Sequence, residues 1–122
     1  MTITEVCKQY GFSADTLRYY EKIGLLPTIE RSAGGIRNYS EADCSRIEFI
    51  KCMRSAGVAI EPLIEYINLF SQGDASIARR KEILMQEHER IVNQLTQLQE
   101  TAALLEYKIS HYDELTMRPR NN

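Results

Sequence analysis

No glycine or proline interrupts residues 75–114 of this chain, and no other segment constrains its fold as tightly. A stretch of that length without a breaker predicts one helix of about 60 Å, at ~1.5 Å per residue. Within it Leu84, His88, Ile91, Leu95, Leu98, Ala102, Leu105, Ile109 and Tyr112 step alternately by four and three, a heptad seam of about four repeats. A chain of 122 residues buries one small core, too small to cover such a helix along its length. The seam therefore needs a second long helix, and the chain holds only one. The expectation is a homodimer joined through a coiled coil, with Leu84, His88, Ile91, Leu95, Leu98, Leu105 and Ile109 at the interface.

The residues ahead of this helix read as a compact head. Thr2 with Glu5 forms a capping box, and Ile3, Val6, Cys7 and Tyr10 recur at helical spacing until Gly11. Ser13 is a good cap for a second short helix over residues 14–22, ended by Gly24. Two short helices joined by a tight turn containing glycine are the helix-turn-helix pattern. Residues 28–39 then place β-branched and aromatic residues on both sides of Gly34-Gly35, which predicts a small hairpin, a wing. Ser40 with Asp43 opens a third helix running to Gly57. A fourth begins near Pro62 and ends at Gly73, and Asp74 is read as the cap of the long helix. The expected fold is mainly α: a winged helix-turn-helix head over residues 1–73, a coiled-coil dimerisation helix over 74–115 and a tail over 116–122.

Composition excludes more than it selects. Fifteen basic against seventeen acidic residues leave a net charge of −2, so only local clustering of cations can make a nucleic-acid surface. No apolar run approaches the ~18 residues of a membrane span. The first twenty residues carry Glu5, Lys8, Asp15 and Arg18 in place of an apolar signal block, which points to a cytoplasmic protein with no membrane partner. Cys7, Cys44 and Cys52 have the wrong parity for a disulfide framework and match no zinc spacing, so they are read as reduced thiols. No nucleophile–base set, phosphate loop or metal cluster appears, and neither an enzyme, a metal nor a cofactor is expected.

A head of this kind on a two-fold dimerisation helix suits two half-sites of a palindromic duplex. The run Thr16-Leu17-Arg18-Tyr19-Tyr20-Glu21-Lys22-Ile23-Gly24-Leu25-Leu26, followed by Arg31 and by Gly35-Ile36-Arg37-Asn38-Tyr39-Ser40, resembles the DNA-binding domain of the MerR family of bacterial transcription regulators. The likeness spans residues 2–70, with the family's dimerisation helix corresponding to 75–114. Ile36 departs from it, where many members carry tyrosine. The resemblance implies DNA contacts from Thr16, Arg18, Tyr19, Tyr20, Arg31, Arg37 and Tyr39, and a dimer that bends and untwists promoter DNA so that RNA polymerase engages. On residue chemistry alone Arg18 could instead pair with Asp15 or Glu21, and Tyr20 could be core. On a strand Arg37 and Tyr39 share one face.

Long members of the family carry a ligand domain after the coiled coil, and metal-sensing members carry cysteines around the dimer helix; this chain has neither feature among residues 73–122. The segment from Phe49 to Gly57 resembles the small NmlR and AdhR types, associated with aldehyde, electrophile and thiol stress, and the reactive cysteine of that helix falls on Cys52. Cys44, near the start of the same helix, is the second candidate. The two are eight residues apart on one helix, about 12 Å, too far for a disulfide. Cys7 is read as core. A coiled-coil adaptor without DNA binding is the competing reading, and a cationic wing is what an adaptor does not need.

Overall fold

The computed structural model describes residues 1–117. Five helices follow one another: α1 (Ile3–Tyr10), α2 (Ala14–Ile23), α3 (Glu41–Ser55), α4 (Ile60–Leu69) and α5 (Ile77–Met117). The chain divides into two compact units, Met1–Leu84 and Met85–Asn122, so the first unit takes in the opening turns of α5, beyond the boundary read at residue 73.

The helix starts are local chemistry. Thr2 accepts from the Glu5 amide while the Glu5 carboxylate accepts from the Thr2 amide, and Ser40 and Asp43 repeat the arrangement at α3. These hydrogen bonds hold the Glu5 carboxyl below the usual carboxylate range. Ser13 Oγ receives the Thr16 amide at 3.1 Å. Gly11 and Gly24 take the left-handed conformation that lets α1 and α2 stop and turn. Leu17, Leu25, Leu26, Ile47, Ile50 and Val6 are fully enclosed, and each such side chain contributes about 1.5–3 kcal/mol through burial.

Several readings change at this level. The wing contains no strand among the described residues. Residues 28–39 fold back through a turn closed by one antiparallel bridge between Arg31 and Arg37, with Ser32 donating to Ile36 at 2.7 Å and Asn38 to Glu30 at 2.7 Å. Asp74 is not the cap of α5. Instead a 3-10 turn, Phe70–Ser76, joins α4 to α5, and the buried Ser76 hydroxyl lies 2.7 Å from the Leu69 carbonyl and 2.8 Å from that of Gly73. α4 starts at Ile60, ahead of Pro62. α5 runs on through Thr116 and Met117, so the tail read over 116–122 begins as helix; residues 118–122 lie outside the described residues.

Along α5, Leu84, His88, Leu95, Leu98, Ala102, Leu105, Ile109 and Tyr112 are exposed and Ile91 is half-buried. The helix also encloses Ile83 and Glu87, a flank the heptad reading passed over; Glu87 Oε1 lies 3.8 Å from Arg90 and its Oε2 has no hydrogen-bond partner.

Candidate nucleic-acid interface

α2 presents its polar face outward because its apolar residues are spent inward. Leu17 is fully enclosed, and Tyr20, 8% exposed, packs edge-on against Phe12 with ring centroids 5.8 Å apart. That leaves Arg18 and Tyr19 on the open side, Tyr19 53% exposed. The Arg18 guanidinium lies 3.3 Å from Asp15, and both side chains are open to solvent, so this pair is worth little and yields readily to a phosphate. Thr16 is half-buried and its hydroxyl lies 2.8 Å from that of Ser13.

The returning segment divides differently from its sequence pattern. Arg31 is exposed and its Nη1 donates to the Gly35 carbonyl at 2.7 Å, which props the turn. Arg37 and Tyr39 do share a face, but that face points inward. Arg37 Nε donates to Glu21 Oε1 at 3.1 Å, with side-chain exposures of 22% and 18%. Tyr39 is 3% exposed and its hydroxyl has no hydrogen-bond partner; burial pushes the phenol above its ordinary pKa. Tyr20 and Tyr39 therefore sit in the core of this structure. Arg37 is committed to Glu21. The sixteen-residue separation of that pair is invisible to periodicity, which offers Glu21 only as a partner for Arg18. Lys22, exposed at the end of α2, is a further cation on the open side.

The three thiols are free and differ in access. Cys52 is exposed on α3. Cys44 is buried, its Sγ 3.7 Å from Met1 Sδ, beside a cavity of about 440 Å³ lined by Tyr10, Ser40 and Glu48 among others. Burial raises the Tyr10 phenol above its usual range, and the neighbouring Cys44 adds to the rise. Cys7 is half-buried on α1. No three His, Cys, Asp or Glu side chains converge among the described residues, and no helix there is long and apolar enough to cross a membrane.

Comparison with known proteins fits this geometry. Residues 1–69 match the model of the MerR HTH family regulatory proteins. The HTH-type transcriptional regulator AdhR of Bacillus subtilis is 53% identical over 92 residues, covering 75% of this chain and 66% of AdhR, just under two thirds of its length. A crystal structure of a MerR family transcriptional regulator from Listeria monocytogenes superposes with a TM-score of 0.88 at 40% identity, over 93% of this chain and 86% of that one. HiNmlR, a MerR family regulator lacking the sensor domain and crystallised bound to promoter DNA, superposes with a TM-score of 0.83 at 27% identity, over 94% of this chain and 91% of that one.

Proposed function

This chain belongs to the MerR family of helix-turn-helix regulatory proteins, and on that footing we propose that two copies of it bind a palindromic promoter in the cytoplasm and distort the DNA for RNA polymerase. The observation that carries this reading is the outward face of α2, where Arg18 and Tyr19 stand open on a helix whose other side is locked into the core. In this reading Thr16, Arg18 and Tyr19 meet the duplex from α2 and Arg31 meets a phosphate from the wing turn. Arg37 reaches DNA only by giving up Glu21. The domain reading follows: a DNA-binding head over 1–73, a dimerisation helix over 74–115 and a tail over 116–122, with Leu84, His88, Ile91, Leu95, Leu98, Leu105 and Ile109 forming the coiled-coil seam.

Cys52 is the thiol proposed to sense an electrophile, an aldehyde being the class that its position in α3 suggests. Its exposure supports this choice over Cys44, because a thiolate must be reached before it can add to a carbon centre. Mobility shift and footprinting with the promoter of the chain's own operon test the DNA reading: a protected two-fold site with altered reactivity at its centre is expected, and absence of binding to any duplex at low salt overturns it.

A further inference from the structure

A cavity of about 510 Å³ opens in the head where the end of α2, the segment after it, α3, α4 and the 3-10 turn meet. Every residue lining it lies within Met1–Leu84. Its volume suits a small molecule, and its lining is of two kinds. Leu26, Pro27, Ile67 and Phe70 supply apolar surface, and Phe70 is 44% exposed, so part of that surface is open to solvent. The polar part carries two opposite charges, Glu21 of α2 and Arg46 of α3.

Neither charge is paired with the other, and each holds its own partner lightly. Glu21 receives Arg37 through a single N–H, at 3.1 Å from its Oε1. Arg46 Nη1 lies 3.8 Å from Asp43 Oδ1, beyond hydrogen-bond reach, while the other Asp43 oxygen takes the Ser40 amide at 2.9 Å. A cavity with one carboxylate and one guanidinium favours a ligand that carries both charges, because a lone anion meets Glu21 and a lone cation meets Arg46.

We propose that this cavity binds a small zwitterion with an apolar body, the chemistry of an apolar α-amino acid, its carboxylate on Arg46, its ammonium on Glu21 and its side chain against Phe70 and Ile67. The consequence for DNA rests on the DNA-binding reading above. Glu21 is what draws Arg37 inward, and a ligand ammonium on the same carboxylate competes for its charge. Arg37 is then free to meet a phosphate, so ligand and DNA favour each other's binding.

The test titrates L-phenylalanine into the full chain without DNA by calorimetry, alongside L-phenylalaninamide, which lacks the carboxylate, and phenylpropionate, which lacks the ammonium. Saturable binding of L-phenylalanine at or below about 1 mM is expected, with each analogue about tenfold weaker or more because it leaves one protein charge unmatched. Arg46→Gln and Ser71→Trp, the second placing bulk in the cavity from an exposed position, are expected to weaken binding by about tenfold or more with melting temperature unchanged. No binding at about 10 mM overturns the site, and so does binding that both analogues or both variants leave unaltered. Salt titrations of promoter binding with and without L-phenylalanine read the coupling. The amino acid is expected to steepen the logarithmic salt slope by about one in the wild-type chain and not in Arg37→Ala. A ligand that binds without changing the slope overturns the release of Arg37, whereas a chain that binds the amino acid and no duplex at low salt defeats the DNA reading and leaves the site standing.

Discussion

The head and the later part of α5 treat apolar side chains in opposite ways. In Met1–Leu84 a set of large ones, Leu17, Leu25, Ile47 and Ile50 among them, is sealed to 1% exposure or less. Among the described residues from Met85 onward most are bare: Leu95 is 53% exposed, Leu98 67%, Leu105 57% and Ile109 60%. A sealed core makes stability a property of one chain. A bare seam on a 41-residue helix is apolar surface of the kind that closes against a partner, so that stability depends on protein concentration.

The sharpest way to break this contrast is Leu95→Asp. Two-fold symmetry places the charge in the seam twice, and burying unpaired carboxylates there costs on the order of 4 kcal/mol or more per dimer. Sedimentation at micromolar concentration is expected to show a dimer for the wild-type chain and a monomer with a folded head for the variant. A dimer that survives the substitution removes the coiled-coil reading. Leu17→Ala tests the other region and is expected to lower head stability by about 3 kcal/mol through the cavity it leaves. Denaturant unfolding should show that this loss does not change with protein concentration, in contrast with the loss from the seam.

Arg37 and Arg18 sharpen the comparison within the head. Arg37→Ala leaves Glu21 half-buried without its partner and should cost about 1–2 kcal/mol of head stability, with little change in the salt dependence of DNA binding. Arg18→Ala should do the reverse, leaving stability unaltered and reducing the magnitude of the logarithmic salt slope by about one as one phosphate contact is lost. Thermal melts and salt titrations of the two variants give the answer, and interchanged results would return Arg37 to the DNA surface.

These cases mark where the fold could be read from sequence. Helix starts were legible because a capping box lies within four residues: Thr2 with Glu5 and Ser40 with Asp43 are complete instructions on their own. The parity of the wing was legible too, but parity says which residues share a face and not which face is wet. Glu21 decides that, by drawing Arg37 inward from a separate helix. At the α4–α5 joint, Gly73 and Asp74 imitate a stop and a cap, while the observed hydrogen bonds run from the Ser76 and Arg80 side chains to partners up to seven residues back. The seam was read from its period alone, and period cannot show that Ile83 and Glu87 are enclosed beside it.

The smallest expected effect on stability belongs to the residue with the largest expected effect on regulation. Cys52 is exposed on α3, so Cys52→Ser removes almost no buried area and should leave melting temperature, dimerisation and DNA affinity within experimental error. An aldehyde adduct at the same atom would lie one helical turn from Phe49 on α3, whose ring meets that of Tyr66 at 5.5 Å in a tilted pair, and that neighbour is the route by which it would act. The expectation is that Cys52→Ser abolishes the transcriptional response to an added aldehyde, that Cys7→Ser retains it, and that mass spectrometry of the treated wild-type protein finds the adduct on Cys52. An adduct found on Cys44 with an unaltered response in Cys52→Ser would move the sensing role to the buried thiol beside Met1, and the exposure argument for Cys52 would be wrong.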